Sequence, residues 1–366
     1  MSPALPDDDP MELALRLAAR GQGAVEPNPM VGCVLVAGSE VVGRGWHQQF
    51  GGPHAEVVAL QEAGPRARGA TAYVTLEPCS HHGKTPPCGQ ALIEAGVARV
   101  VAAMEDPNPQ VSGQGIAALR EAGIECEVGH GAEAACELMS PYLKLTTSGR
   151  PWVIAKWAMS LDGKIATREG DSQWISGEAS RAQVHEIRGR MDAVIVGAGT
   201  LLADDPRLDA RPPGPRTPTR VVVADARPLP ADRVLFNTPQ SGPVIVFRVG
   251  GETASDDLSQ REAVEVVTIP ADSLEPILDE LGRRRMTNVL VEGGGKMLGA
   301  LFDQRLVDEA HVYIAPRVIG GAGAPVPIAG DGVSRLAQAL ELQQVCSEQL
   351  GEDLHLWGRV APRQVG

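Results

Sequence analysis

A histidine, a glutamate and two cysteines in the first quarter of the 366-residue chain have the types and spacing of a catalytic zinc site. The motif HAE spans His54 to Glu56, and it is followed by a Pro-Cys pair ending at Cys79 and by Cys88. Zinc favours imidazole and thiolate ligands, and its catalytic sites combine three protein ligands with an open position for water. We therefore predict one zinc ion per chain, held by His54, Cys79 and Cys88.

Glu56 lies two residues after the histidine, where it can transfer protons without binding the metal. In zinc deaminases, hydroxide attacks an amino-bearing ring carbon and a glutamate that is not a ligand carries protons to the leaving amine. The general signature has two residues between its cysteines, whereas eight residues separate Cys79 from Cys88 here. A structural zinc knuckle, or buried cysteines beside a capping histidine, is the alternative, and Glu56 opposes both.

The elements that must position these residues alternate between helix and strand patterns, which predicts an α/β domain with a mostly buried sheet. His54 starts a predicted helix that runs to Ala63, and Cys79 follows a predicted strand. Cys88 starts a second helix, and the positive end of a helix dipole favours thiolate over thiol. The three ligands are therefore expected to converge at one end of the sheet.

A second α/β pattern begins after Thr146–Pro151, a short segment rich in turn formers. We place the domain boundary in this segment, with residues 1–147 as the first domain and residues 148–366 as the second. No G-x-G-x-x-G motif follows a strand, so a Rossmann dinucleotide site is not supported. The run Gly293–Gly295 instead follows a predicted strand ending in Glu292 and opens a helix, where free amides suit a pyrophosphate. A tight turn explains the glycine run equally well.

Several longer segments resemble the bifunctional deaminase-reductase family of riboflavin biosynthesis. The segments are PNPMVGCVLV (27–36), PHAE (53–56), PCSHHGKTPPC (78–88), AKWAMSLDGKIA (155–166), GDSQWIS (170–176) and GAGTLLADDPRL (197–208). They cover nearly the whole chain, and the expanded cysteine spacing separates this family from cytidine and tRNA-adenosine deaminases. The resemblance implies two α/β domains: a three-layer domain of the cytidine-deaminase type, and a C-terminal domain of the dihydrofolate-reductase type.

The resemblance also implies two reactions. The first domain would use zinc hydroxide to deaminate 2,5-diamino-6-(ribosylamino)-4-pyrimidinone 5'-phosphate by hydrolysis. The second would then reduce the ribosyl side chain of 5-amino-6-(5-phosphoribosylamino)uracil to ribityl with NADPH. The expected cofactors are zinc and NADPH, and the expected partner is this small phosphorylated pyrimidine.

Site residues follow from the same resemblance. The implied NADPH contacts are Ala158, Trp174, Thr200, Asp204, Gly294, Gly295, Lys296, Met297, Leu298, Gly299 and Ala300. The implied substrate contacts are Ser172, Arg188, Leu208, Arg211 and Glu292 in the second half, and Asn28, His47 and Lys84 in the first. One departure is Ala226, because family members often have a serine there that faces the cofactor.

Several of these residues also have a plain structural explanation. Lys84 suits a solvated loop, Arg188 and Arg211 suit surface ion pairs, and Trp174 suits a core position. We expect Lys156 and Asp204 to form a charged pair beside the sugar, with one of them managing the proton that accompanies hydride transfer. A structural ion pair explains Lys156 almost as well.

The composition excludes some classes of function. A formal charge of −13 opposes a phosphate backbone as the main partner, so we expect no nucleic acid. The N-terminal residues lack the features of a secretory signal, and no apolar stretch is long enough to span a membrane. We therefore expect a cytoplasmic protein with no membrane partner, in which Cys33, Cys126, Cys136 and Cys346 are core or incidental residues. A homo-oligomer remains open.

Two rival functions remain open as well. One is a nucleic-acid-editing deaminase with an accessory domain, which the acidic charge and the expanded cysteine spacing oppose. The other is a non-catalytic regulator that binds zinc and nucleotide, which Glu56 opposes.

Overall fold

The computed structural model describes residues 8–80, 87–108, 112–225, 227–250, 257–270 and 273–361. The chain forms two compact units that divide between Gly149 and Arg150. This division falls inside the predicted linker, but Thr146–Ser148 are helical and not a loop. The helix extends to Ser148, where the Thr147 and Ser148 hydroxyls donate to carbonyls one turn earlier, and Gly149 ends it in the left-handed conformation.

The first unit is built from short helices and strands that alternate along the chain. Its elements are α1 (Pro10–Ala18), β1 (Gly32–Ala37), β2 (Glu40–Trp46), α2 (Ala55–Ala63), β3 (Thr71–Val74), α3 (Cys88–Ala95), β4 (Arg99–Ala102), α4 (Gln114–Glu121), β5 (Glu125–Val128), α5 (Ala132–Leu138) and α6 (Ser140–Ser148). Among the described residues the strands form one sheet in the order β2-β1-β3-β4-β5, with β1 antiparallel to both neighbours. Helices cover both faces, which gives the expected three layers.

Two glycines set the distance between this sheet and its helices. A Cβ atom on Gly32 would lie 1.9 Å from the Ala14 carbonyl oxygen of α1, and one on Gly45 would lie 2.1 Å from the Ala55 oxygen of α2. Only glycine permits such close approach of two backbones. Gly45 therefore holds the start of α2, and with it the predicted ligand His54, close against the sheet.

The second unit is larger and has a mostly parallel sheet. Its elements are β6 (Trp152–Ser160), α7 (Glu178–Arg188), β7 (Ala193–Gly197), α8 (Ala198–Asp204), β8 (Thr219–Ala224), β9 (Val244–Val249), β10 (Val264–Ile269), α9 (Glu275–Arg283), β11 (Asn288–Glu292), α10 (Gly295–Asp303), β12 (Glu309–Ala315), β13 (Leu342–Leu350) and β14 (Asp353–Val360). In the described part of the unit, the strand order is β10-β9-β8-β7-β11-β6-β12-β14-β13. The last two strands form an antiparallel hairpin.

The central strands of this sheet are buried on both faces. Val153, Val289 and Val291 face one aliphatic core with α9 and α10, while Val194 and Leu290 face a second core with α8. Parallel strands end at the same edge of a sheet. The carboxyl ends of β7 and β11 therefore bring Gly197 and Glu292 to one edge, level with Lys156 of β6. No helix among the described residues of either unit has the length and hydropathy that a membrane span requires.

Candidate active sites

The first unit brings His54, Cys79 and Cys88 together. His54 immediately precedes α2, Cys79 follows β3, and Cys88 is the first residue of α3. The Cys79 sulfur lies 3.1 Å from the Cys88 sulfur and 3.5 Å from His54 Nδ1. In the part of the chain that the structure describes, this is the one group of histidine, cysteine and acidic residues arranged to hold a metal ion.

The donor set fits zinc. Two thiolates and one imidazole are the ligands that zinc prefers, and three protein ligands leave a coordination position for water. The Cys79 amide donates to the Cys88 sulfur at 3.1 Å, and the Cys88 amide donates to the Cys79 sulfur at 3.3 Å. A hydrogen bond from the Cys88 thiol lowers the pKa of Cys79. A bound cation stabilises both sulfurs as thiolates.

Glu56 lies in the first turn of α2, beside this cluster, and only 2% of it is exposed. No described residue gives its buried Oε2 atom a hydrogen bond. Burial raises the pKa of Glu56, while the neighbouring His54 opposes the rise. A buried carboxyl with an unpartnered oxygen next to a zinc-type donor set is the arrangement that a proton carrier needs.

Asn28 and His47 form a hydrogen-bonded pair. The Asn28 side-chain amide lies 3.1 Å from His47 Nε2, and His47 Nδ1 lies 3.0 Å from the Pro53 carbonyl. Burial lowers the pKa of His47, so the ring is neutral, donates from Nδ1 to Pro53 and accepts from Asn28 at Nε2. The rings of His47 and His54 are 5.6 Å apart, which places this pair beside the metal ligands. The predicted residue Lys84 lies outside the described residues.

Glu77 anchors the metal site, and no motif or spacing in the sequence points to it. It is 4% exposed, and its carboxylate accepts hydrogen bonds from four backbone amides: Asp106, Gly113, Gly115 and Ile116. These amides belong to the start of α4 and the loop before it, and a helix start needs acceptors of this kind. Since Pro78 and Cys79 follow directly, Glu77 fixes the segment that supplies a metal ligand.

The second unit contains a cavity of about 320 Å³ at the carboxyl edge of its sheet. It is lined by eleven of the residues predicted as cofactor or substrate contacts: Ala158, Ser172, Trp174, Arg188, Thr200, Asp204, Leu208, Arg211, Glu292, Gly294 and Leu298. It is not lined by Gly295, Lys296, Met297, Gly299 or Ala300. Gly299 has a packing reason to be glycine, because a Cβ atom there would lie 1.4 Å from the Ala329 oxygen.

The glycine run forms a turn between β11 and α10. Gly293 and Gly294 have φ angles of 68° and 76°, which side chains rarely adopt. A Cβ atom on Gly294 would lie 3.0 Å from Thr200 Oγ1. This turn therefore keeps the end of β11 open beside Thr200. The helix α10 begins at Gly295, and no side chain of the described residues caps its first amides. Such amides suit a pyrophosphate group.

The Glu292 carboxylate forms ion pairs with two cationic side chains in the wall of the cavity, Arg188 and Lys156. Its carboxylate accepts two hydrogen bonds from Arg188, from Nε and, at 2.9 Å, from Nη2. Lys156 Nζ lies 3.8 Å away on the adjacent strand. Burial lowers the pKa of Lys156 and the Glu292 charge opposes that effect. These buried contacts show that Arg188 is not a surface ion pair.

The expected pair of Lys156 and Asp204 is wrong. Within the described ranges Lys156 pairs with Glu292, while Asp204 accepts a hydrogen bond from the Ser172 hydroxyl at 3.3 Å. Asp204 ends α8 and Lys156 lies in β6, and β11 provides the closer carboxylate. Burial raises the pKa of Asp204, which makes its carboxyl group easier to protonate.

Trp174 is not a core residue. It is 61% exposed, the Arg181 guanidinium lies 4.9 Å from its ring centre, and its carbonyl accepts a 2.9 Å hydrogen bond from Arg317. It lines the cavity together with Ser172. The loop around Trp174 is therefore part of the wall of this site.

Comparison with known proteins agrees with the geometry of both units. Residues 6–104 match the family described as the cytidine and deoxycytidylate deaminase zinc-binding region, and residues 151–356 match the RibD C-terminal domain. The riboflavin biosynthesis protein RibD of Escherichia coli is 41% identical over 96% of this chain and 99% of its own length. RibD of Actinobacillus pleuropneumoniae is 40% identical over 96% and 94%.

The chain belongs to the RibD family. Solved RibD structures agree: form 1 from Acinetobacter baumannii is 37% identical, with a TM-score of 0.86 over 97% of this chain and 99% of that one. The deaminase/reductase of Thermotoga maritima is 36% identical, with a TM-score of 0.84 over 97% and 98%. The expected fold class and the two enzyme activities, deaminase and reductase in riboflavin biosynthesis, are thereby confirmed. The cofactors of this family are zinc for the deaminase and NADPH for the reductase.

Proposed function

We propose that the first unit deaminates 2,5-diamino-6-(ribosylamino)-4-pyrimidinone 5'-phosphate, and that the second reduces the resulting 5-amino-6-(5-phosphoribosylamino)uracil to the ribityl compound. The similar protein of Thermotoga maritima is described as a deaminase and a reductase of these two compounds. The observation that carries the proposal is the pair of sites itself. A zinc-type donor set lies beside a buried glutamate in one unit, and a cavity with cations and a glycine turn lies in the other.

In the deaminase, zinc supplies the Lewis acidity that makes water a nucleophile at neutral pH. Glu56 takes a proton from the attacking water and delivers protons to the ring nitrogen and the leaving amine. Its unpartnered Oε2 has no competing hydrogen bond among the described residues. Asn28 and His47 bind and orient the substrate, and the neutral His47 ring keeps a fixed tautomer because Pro53 accepts from Nδ1. Lys84 is proposed as a phosphate ligand.

In the reductase, NADPH supplies the hydride. Thr200, Asp204, Ala158, Trp174 and the segment Gly294–Ala300 are proposed to hold it, and the uncapped amides at the start of α10 suit its pyrophosphate. The substrate contacts are proposed to be Ser172, Arg188, Leu208, Arg211 and Glu292. A proton must accompany the hydride. Asp204 and Lys156 both line the cavity, and either one is suited to supply it.

Three narrower points belong to the same proposal. The substrate is a small phosphorylated pyrimidine and not a nucleic acid, since a protein of charge −13 repels a phosphate backbone. The working compartment is the cytoplasm, where cysteine ligands stay reduced. A homo-oligomer is compatible with these sites, because neither one needs a second chain for the residues proposed here.

Product mass measurement tests the function. The protein, loaded with zinc, is incubated with the diaminopyrimidine phosphate, first without and then with NADPH. We expect ammonia and the mass of the uracil compound in the first case, and the addition of one hydride and one proton in the second. Dialysis against a chelator should abolish the first product and leave reduction of a supplied uracil compound intact. Release of ammonia from tRNA, without release from the small substrate, would contradict the proposal.

A further inference from the structure

Asp209 lies in the segment after α8 and contacts three arginines of the reductase cavity. Only 7% of the residue is exposed. Its carboxylate lies 3.0 Å from Arg207 Nε and 3.1 Å from Arg211 Nε, and its backbone carbonyl accepts a hydrogen bond from Arg188 Nη1 at 3.1 Å. All three arginines line the cavity. Asp209 itself does not line the cavity, so it contacts these arginines from outside the cavity lining.

The two carboxylate oxygens of Asp209 are used differently. Oδ2 accepts aligned hydrogen bonds from the Ser241 hydroxyl and Arg207, both at 3.0 Å. Oδ1 is within ion-pair distance of Arg211 but has no aligned hydrogen bond from any described residue. Ser241 and Arg207 therefore fix the carboxylate, and its Oδ1 atom holds Arg211 through an ion pair.

Asp209 is charged at neutral pH. Burial opposes ionisation, but the hydrogen bond from Ser241 and the charges of Arg207 and Arg211 outweigh it and lower the pKa of the carboxyl group. The arginine side chains remain accessible, at 40% exposed for Arg207 and 57% for Arg211. In both ion pairs Asp209 meets the Nε atom. Arg207 Nη2 also lies 3.5 Å from the Ser241 hydroxyl, whereas no described residue accepts a hydrogen bond from the terminal amino groups of Arg211.

A carboxylate in this position can act on phosphate binding in two opposite ways. It competes with an incoming phosphate, because it neutralises part of the charge of the arginines. It also prevents Arg207 and Arg211 from repelling each other into separate orientations, and fixed donors bind an anion better than mobile ones. The geometry favours the second effect. The aligned bonds are on Oδ2, and among the described residues no partner takes the terminal amino groups of Arg211. Arg207 Nη2 lies 3.5 Å from Ser241 Oγ, and Arg188 is held by Glu292 and by the Asp209 carbonyl.

We propose that Asp209 is a positioning residue whose carboxylate presents Arg207 and Arg211, beside Arg188, to the phosphate group of the reductase substrate, and that Arg207 is a further phosphate ligand. The proposal rests on the proposed function, which places Arg188 and Arg211 at that substrate. Ser241 contributes to the same positioning, because its hydroxyl donates a hydrogen bond that orients the Asp209 carboxylate.

The test is Asp209→Asn, assayed in the full-length holoenzyme with the phosphorylated uracil compound and with its dephosphorylated form. Asparagine keeps the volume and loses the charge. We expect KM for the phosphorylated compound to rise about tenfold, as for the loss of one charge-assisted hydrogen bond, with kcat nearly unchanged. The dephosphorylated compound should be reduced equally well by both proteins. Inhibition by inorganic phosphate should weaken by the same factor as KM.

Arg207→Gln should reproduce this pattern, and Ser241→Ala should give a smaller effect of the same kind. Asp205→Asn is the matched control, because Asp205 anchors the same segment through the Val234 amide and contacts none of the three arginines. It should leave KM unchanged. If Asp209→Asn does not fold, the KM values of Arg207→Gln and Ser241→Ala for the phosphorylated compound test the same proposal.

Three outcomes would overturn the proposal. A lower KM in Asp209→Asn would make the residue a competitor of phosphate. An equal loss on both compounds would make it a general support of the cavity, and an unchanged KM would leave it without a role in binding. If the wild type reduces neither compound, the proposed function has failed instead. Direct calorimetric binding of inorganic phosphate to wild type and Asp209→Asn would then still decide whether Asp209 positions the arginines.

Discussion

Arg188 and Glu292 form two parallel hydrogen bonds in the wall of the reductase cavity, although 104 residues separate them along the chain. Arg188 is the last residue of α7, and Glu292 is the last residue of β11. Their side chains are only 13% and 9% exposed, so each charge depends on the other for its stability in the protein.

Glu292→Gln should destabilise the reductase unit strongly. The substitution leaves Arg188 buried without its countercharge, and breaking such a pair costs about 3–5 kcal/mol. We expect this loss in the free energy of unfolding of the reductase transition, measured by denaturant titration of the full-length protein. Glu265→Gln is the control: it removes an exposed partner of Arg284 and should cost at most about 1 kcal/mol. Equal losses in the two variants would contradict the buried-pair explanation.

The contribution of Glu292 to the free energy of unfolding should also disappear at acidic pH. Burial raises its pKa, but the charges of Arg188 and Lys156 outweigh burial and lower the pKa to about 2. The unfolded chain has the ordinary value of about 4.3, so it binds a proton first as the pH falls. The stability from this carboxylate is therefore complete above about pH 5 and is lost as the pH falls towards 2. The melting-temperature gap between wild type and Glu292→Gln should shrink over this range, and a gap that widens on acidification would reverse the assigned sign.

Glu56→Gln should separate metal binding from catalysis. Glu56 is not a predicted ligand, so the variant should bind as much zinc as wild type by metal analysis. Its deaminase rate should fall about 10²- to 10⁴-fold, because the proton carrier is lost. Cys88→Ala, by contrast, should lose the metal as well. Reduction of supplied uracil compound should be normal in both variants, and a deaminase rate in Glu56→Gln above a tenth of wild type, about the limit for general acid-base loss, would exclude Glu56 as the carrier.

Glu77→Gln should destabilise the deaminase unit even without zinc. The amide replaces one carboxylate oxygen by a donor, so two of the four backbone amides that Glu77 accepts from lose their acceptor. Each buried donor left without a partner costs about 1–3 kcal/mol. Thermal melts of zinc-free protein should show the loss, while Glu125→Gln, an exposed strand residue, should melt as wild type does. A zinc-free Glu77→Gln protein with a normal melt would show that the start of α4 finds other acceptors.

The two activities should be separable at Gly149. This residue ends α6 and precedes the strand β6, so a cut there leaves the elements of both units intact. We expect a fragment ending at Gly149 to deaminate, and a fragment starting at Arg150 to reduce the uracil compound. Only fragments that melt cooperatively are compared by product mass. A folded second fragment that reduces only after the first is added back would show that its site is incomplete.

The sequence by itself determined the zinc-type donor set, the acid beside it and the glycine turn. These features rest on residue type and on short spacings: Glu56 is two positions from His54, and Gly293–Gly295 are consecutive. The predicted helix starts at Cys88 and after the glycine run are also observed. Hydrophobic periodicity did not predict β5, α5, α6 or β10, because these elements are short or only partly buried.

Only the tertiary structure decided which charges meet. Lys156 pairs with Glu292 and not with the expected Asp204, because parallel strands place β6 and β11 side by side. Asp209 reaches Arg188 and Ser241 across 21 and 32 residues of sequence, and Glu77 reaches α4 across 38. A buried carboxylate is stable only where the folded chain supplies donors or cations, and no local spacing encodes where those donors come from.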